Sequence, residues 1–274
     1  MAVVVQRRPA PPAVPAAVGS LLRARRLVQR NALVYRHTWI VIFSGFFEPL
    51  FYLLGIGYGL GTIVGDMTLP DGTTIPYAAF VAPALLAQST LNGAISETIF
   101  NVFFKLNYEK TYDAILATPL GINDIALGEL MWAMIRATLY ATAFVLVMWG
   151  MGLLLSPWAV LALPATLFCS VAFCAAGLAT SSYLRTVQDF DLPFGLVIMP
   201  MFLFSGTFFP ITVYPEVIQW VVQVTPLYQA VALLRGLTLG IVGPEMLYHV
   251  AYLGVFAAVA MAIARRRLAT KLVT

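Results

Sequence analysis

The sequence predicts an all-α integral membrane protein of six transmembrane helices with both termini in the cytoplasm. Three observations predict it: a deficit of charge, a series of long apolar runs, and an alternating placement of basic residues between those runs. Of 274 residues, 61% are apolar and only 10% are charged, whereas about a quarter of the residues of a soluble domain carry charge. The mean hydropathy is +0.88. A single water-soluble domain of this size has no core able to hide so many apolar side chains, so the bilayer is the solvent for most of the chain.

A helix needs roughly 20 apolar residues to cross about 30 Å of hydrocarbon. Residues 39–61, 77–100, 137–155, 158–181 and 246–264 meet that requirement. A sixth span is read over residues 192–209, where an apolar run ends before Pro210 and Pro215. Beyond it, Glu216, Gln219 and Gln223 fall on one helical face opposite Val217, Trp220, Val221 and Val224. Twelve residues between Pro215 and Pro226 cannot span, so this segment and its continuation to Leu239 are read as short re-entrant helices near the outer surface. Orientation follows from the enrichment of Lys and Arg in cytoplasmic loops. The segments before the first span, between the second and third, between the fourth and fifth, and after the last hold fifteen of the sixteen basic residues, and only Arg235 falls on the opposite side.

Four regions result. Residues 1–20, with Pro9, Pro11, Pro12 and Pro15 among alanines, read as a disordered cytoplasmic arm. The apolar stretch at residues 1–6 is too short for a signal-peptide core and is followed by Arg7 and Arg8, which predicts no cleaved signal. Residues 21–36 read as an amphipathic interfacial helix, with Arg23, Arg26 and Arg30 near anionic headgroups. Residues 37–264 form the transmembrane domain, and residues 265–274 a basic cytoplasmic tail.

The chemistry encoded is that of a membrane passage. No phosphate-binding loop exists: Lys105, Lys110 and Lys271 follow Phe104, Glu109 and Thr270, not glycine. His37 and His249 have no metal or nucleophile motif around them, Cys169 and Cys174 read as packing residues in one apolar run, and the basic residues form no patch suited to nucleic acid. Metal and catalytic sites are therefore not expected. Within spans the ionisable residues are Glu48, which precedes a kink-forming Pro49, and Glu97, which lies about a turn from the cytoplasmic end and is read as reaching water. Gly45, Gly55, Gly57, Gly59 and Gly61 permit close helix packing around the first span.

Residues 101–136 are of another kind, mixing charge with regular apolar spacing. Tyr108, Tyr112, Ile115 and Leu116 make an apolar stripe on a short helix ending at Thr118 and Pro119, and Asn123 or Asp124 can cap the next helix. A short amphipathic helix between two spans suits docking to a cytoplasmic protein, or lying on lipid.

These residues carry a resemblance. The stretches YEKTYDAILATPL at 108–120, DIALGELMWAMIR at 124–136, FLFSGTFFPITVYPEVIQWVVQVTPLYQAVALLRGLTLG at 202–240 and FEPLFYLLGIGYGLG at 47–61 resemble the ABC-2 type permease family. The nearest likeness is to its nodulation and lipo-oligosaccharide export branch. The resemblance implies a permease subunit in the bacterial cytoplasmic membrane that pairs with a second copy or a paralogue and with two separate ATPase subunits. ATP and magnesium would bind those partners, and no cofactor this chain. It implies that residues 108–118 form the ATPase coupling helix, presenting Tyr108, Glu109, Lys110, Thr111, Tyr112, Asp113, Ile115, Leu116 and Thr118. It also implies that the basic N-terminal helix is the connecting helix, and that residues 209–239 help close the exit. Candidates for the substrate path or its gate are Glu48, Phe209, Trp220 and Arg235, the last able to meet a phosphate or acidic sugar, Glu216 or lipid headgroups. The implied activity is export of a lipo-oligosaccharide, glycolipid or lipid-linked polysaccharide. Drug efflux by the same family, or proton-coupled transport through Glu48, is the alternative.

Overall fold

A computed structural model describes residues 16–35, 47, 50–69 and 72–273. The elements run α1 (Ala16–Tyr35), α2 (Leu50–Val64), a hairpin of β1 (Asp66–Thr68) and β2 (Thr74–Pro76), α3 (Tyr77–Asn107), α4 (Thr111–Leu116), α5 (Ile122–Gly150), α6 (Pro157–Ser181), α7 (Val187–Phe204), α8 (Glu216–Gln223), α9 (Pro226–Leu239) and α10 (Glu245–Val273). Five helices, α3, α5, α6, α7 and α10, are long and apolar enough to cross a membrane. The described part of the first span is the shorter apolar helix α2. The remainder of the 39–61 span, with Gly45 and Glu48, lies outside the described residues.

The central helix is α3, with 89% of its most apolar stretch buried. It packs on α2, α5, α6 and α9, while α10 lies against α6 and α9. Its contact faces are built from small residues: Ala78, Ala79, Ala82, Ala84, Ala87 and Ala94 are all buried. That is the solution expected where lipid supplies no hydrophobic drive between helices and close backbone approach must supply dispersion instead. At Gly57 a side chain would meet Ala78, whereas Gly55 faces open space, so the glycine-rich run of α2 has one packing face and one outer face.

Several boundaries differ from the sequence reading. The basic helix α1 starts at Ala16, taking the last residues of the expected arm, because the alanines after Pro15 are strong helix formers. The fold is not purely helical: antiparallel β1 and β2 pair Asp66 with Pro76 and Met67 with Ile75 in the loop after α2. Helix α3 runs past residue 100 to Asn107, since buried Val102, Phe103 and Lys105 continue its packed face. Helix α7 stops at Phe204, not Phe209. Ser205 bonds back to the Met201 carbonyl, and Gly206 takes φ 70°, a left-handed conformation that stops the helix. Residues 265–273 are no separate tail but the last turns of α10, where cations favour the helix C-terminus. There Arg267 covers the Tyr183 ring at 4.0 Å and Lys271 donates to the Leu184 carbonyl.

The segment after α7 folds as a bent pair, α8 and α9 meeting at 85°. The apolar face of α8 points away from the bundle, with Val217 75%, Trp220 71% and Val224 67% exposed, and half-buried Gln219 donates to the Tyr214 carbonyl. A tilted element with an outward apolar face belongs in a lipid interface. The pair is tied to α10, where His249 meets the Gln229 side-chain oxygen and Tyr252 donates to the Val224 carbonyl.

Candidate docking segment and transmembrane cleft

Two places combine special geometry with polar groups. The first is the turn between α3 and α5. Helix α3 ends with the amides of Tyr108 and Glu109 both bonded to the Phe104 carbonyl, and Lys110 follows at φ 49°, a left-handed conformation uncommon outside glycine. This break makes α4 begin at Thr111. Tyr108 therefore does not share its stripe: it ends α3, packing on Phe103 and Phe104 with 60% of its surface exposed. Within α4, Tyr112 is buried and Ile115 and Leu116 pack on the core, while Glu109, Lys110, Asp113 and Thr118 are exposed and Thr111 is half-buried. Thr118 closes the segment by donating to the Ile115 carbonyl, and Thr111 donates to Glu109. On α5, Asp124 caps from inside, accepting the Gly121 amide at 2.9 Å, and Asn123 instead accepts from Arg265.

Beneath this segment lies a chain of ion pairs, whose pairing the placement of charges along the sequence does not reveal. Lys105 donates to both Glu129 oxygens at 3.0 and 2.9 Å, with side-chain exposures of 10% and 2%. Buried Asn31 of α1 joins them, donating to Glu129 and accepting from Lys105. Arg23 of α1 pairs with Asp124 at 2.8 Å. The Tyr112 hydroxyl is buried beside this cluster, and burial, with the Glu129 charge, pushes its pKa well above the ordinary phenol value. It stays protonated at all physiological pH. Helix α1 docks closely at Gly128, where a side chain would meet Leu27 at 2.7 Å.

Glu97 is the plainest correction. It is 2% exposed and does not reach water; it pairs with Arg136, which also donates to the Tyr140 hydroxyl at 2.9 Å. An unpaired charge at this depth is costly and a paired one much less so. Arg136, like Lys105, is thus interior and not a loop cation.

The second place is a cleft of about 500 Å³ that has Arg136 in its wall. One side is a stripe of α3, with Gln88, Ser89, Asn92, Gly93 and Ser96. The facing side is aromatic and aliphatic: Phe194, Ile198, Met199 and Phe202 of α7, and Tyr52 of α2. Three segments beside it are wound as π-helix, Leu53–Leu60, Ser96–Asn101 and Leu192–Ile198. Such winding recurs at functional sites because it re-aims side chains out of the regular ladder. At Gly93 a side chain would strike the Tyr140 ring at 2.8 Å, so glycine there keeps α3 and α5 in contact. Sequence reasoning missed the cleft. Its signal was Gln88, Asn92 and Ser96, recurring every four residues within a long apolar span.

Of the proposed path residues, Glu48 lies outside the described residues. Arg235 is not free for an anion. It donates to the Phe80 and Gly206 carbonyls and lies 3.9 Å over the Phe80 ring, and Glu216 is not among these partners. Its guanidinium thereby ties α9 to α3 and to the turn after α7. Phe209 is 48% exposed in the irregular turn, and Trp220 faces outward on α8. Neither borders the cleft. Among the described residues, no three His, Cys, Asp or Glu side chains converge as a metal site would require.

A bundle of five apolar helices, each long enough to cross a bilayer, defines a multi-pass membrane protein. The chain belongs to the ABC-2 type transporter family, whose model matches residues 23–239. It is 33% identical over 230 residues to nodulation protein J of Sinorhizobium fredii, covering 84% of this chain and 86% of that protein. The corresponding protein of Rhizobium meliloti is 32% identical over 247 residues, covering 88% and 92%. A more distant likeness, 22% over 193 residues, is to the inner membrane transport permease YadH of Escherichia coli, covering 70% and 72%.

Proposed function

We propose that this chain is the permease subunit of an ATP-binding cassette exporter that moves a lipo-oligosaccharide or related glycolipid outward across the bacterial cytoplasmic membrane. The observation that carries the reading is the likeness to nodulation protein J over most of both chains. ATP and magnesium bind two separate ATPase subunits. Glu109, Lys110 and Asp113, exposed around a helix anchored by buried Tyr112, form the polar surface that enters an ATPase cleft. On this reading the turn, α1 and both termini lie on the cytoplasmic side.

A second permease copy or a paralogue completes the passage. Support comes from the apolar surface that α2 and α7 leave uncovered, with Phe51 65%, Leu192 64% and Leu196 73% exposed. A stroke of the ATPase pair would push on α4, and the Tyr112, Lys105, Glu129 and Asn31 cluster would carry it to α3, α5 and α1. The test is co-purification and ATP-driven uptake of a lipo-oligosaccharide into inside-out vesicles. Glu109→Lys with Asp113→Lys should leave the permease inserted but lose the ATPase. Normal recovery of the ATPase with that variant would overturn the docking assignment.

A further inference from the structure

We propose that the cleft between α3, α5 and α7 seats an uncharged saccharide portion of the exported molecule, with Gln88 and Asn92 as its hydrogen-bonding residues. The inference rests on the export reading above and deepens it by naming the subsite and the charge class it accepts.

The two walls differ in kind. Gln88, Asn92 and Ser96 lie four residues apart on one face of α3, with Ser89 beside them. Opposite, Phe194, Ile198 and Phe202 repeat the same spacing on α7, and Tyr52 meets Phe202 edge-on at 6.4 Å. A sugar ring has this same division, with C–H faces that pack on aromatic rings and hydroxyl edges that hydrogen-bond. A cleft of about 500 Å³ is within the range of small-ligand sites, about 300–1,000 Å³.

The amide pair is left incomplete by the protein. Gln88 donates to the Asn92 side-chain oxygen at 3.1 Å, yet the Gln88 oxygen is buried with no hydrogen-bond partner among the described residues. Leaving such an acceptor unmet is expensive, and polar groups kept inside a membrane bundle at that cost mark substrate paths. A ligand hydroxyl or N–H supplies the missing donor.

Charge selection follows from Arg136. The guanidinium borders the cleft, but Glu97 neutralises it and the Tyr140 hydroxyl takes one of its donors. The cleft therefore presents hydrogen-bonding capacity without net charge. A neutral glycan satisfies it, whereas an anionic group would have to compete with Glu97 for Arg136.

The test uses the full permease and ATPase complex in inside-out vesicles, with two fluorescent probes of the same alkyl chain, one carrying maltose and one carrying sulfate. Gln88→Leu and Asn92→Leu should each raise the half-saturating concentration of the maltoside about tenfold, with maximal rate and ATPase recovery little changed. Glu97→Gln, which uncovers Arg136, should raise transport of the sulfate relative to the maltoside at least about fivefold. If the wild-type complex moves the maltoside and both leucine variants match its half-saturation, the subsite is wrong while the export function stands. An unchanged probe preference in a correctly inserted Glu97→Gln complex overturns the charge argument. A wild-type complex that moves neither probe on ATP overturns the subsite and the glycolipid reading together.

Discussion

Replacing Lys105 with methionine should destabilise the bundle by stranding a buried carboxylate between α3 and α5. The ammonium lies 2.9 Å from a carboxylate that is itself 2% exposed, so its removal leaves Glu129 buried without a counter-charge. Breaking a buried pair from one side costs about 3–5 kcal/mol. Asn31 still donates to Glu129 and the carboxylate can take up a proton, which points to the lower end, about 3 kcal/mol. For a chain of this length that is a fall of about 6–12 °C in Tm. Glu129→Gln should cost a similar amount. The double variant, with neither charge left to bury, should lose only about 1 kcal/mol, because a neutral replacement of a whole pair is often nearly neutral in stability. The assay is thermal unfolding of the four proteins in one detergent, read as a double-mutant cycle with coupling of at least about 2 kcal/mol. A Lys105→Met protein as stable as wild type, or additive single costs, would refute the account of this pair.

Further outcomes follow from particular contacts. Gly128→Val should push α1 off α5 by overpacking against Leu27, at about 1–3 kcal/mol, and is read as increased thiol labelling of an Ala24→Cys site, which is buried on the same helix. Arg235→Leu should free the turn after α7 by stripping donors from the Phe80 and Gly206 carbonyls. The cost is about 2 kcal/mol, or about thirtyfold faster amide exchange across residues 204–210 and 226–239. Arg235→Lys should recover little of it, since an ammonium lacks the planar fork that bridges two acceptors and covers the Phe80 ring.

Much of the architecture was legible because the membrane imposes a simple rule: apolar length alone located the α3, α6, α7 and α10 spans, but of α5 it found only the second half, since the charges of Asp124, Glu129 and Arg136 hid the turns from Ile122 onward and the helix ends at Gly150, short of residue 155. The α4 stripe was legible for a related reason: Tyr112, Ile115 and Leu116 fall at the spacing one helix face requires, with Asp113 off that face. What sequence could not supply was the partner of each charge. Lys105 and Glu129 are 24 residues apart, and Glu97 and Arg136 are 39 apart. A local window therefore sees a cation beside a loop and assigns it to water. Arg235 misled for the same reason, its acceptors being backbone carbonyls that leave no mark in a sequence. The break at Lys110 was equally invisible, because lysine is a good helix former and its left-handed conformation is set by tertiary packing.

The two deep ion pairs have a consequence for how the chain folds. Glu97 and Lys105 stand eight residues apart on α3, and their partners Arg136 and Glu129 stand seven apart on α5 in the opposite order. The rungs are thus spaced about 12 Å and about 10.5 Å along antiparallel axes, and a slip of one turn would break both at once. They act as a two-toothed key that admits one register. An α3 laid against α5 in any other register would leave four charges buried without partners, so the correct pairing is separated from its competitors by the cost of several stranded ions.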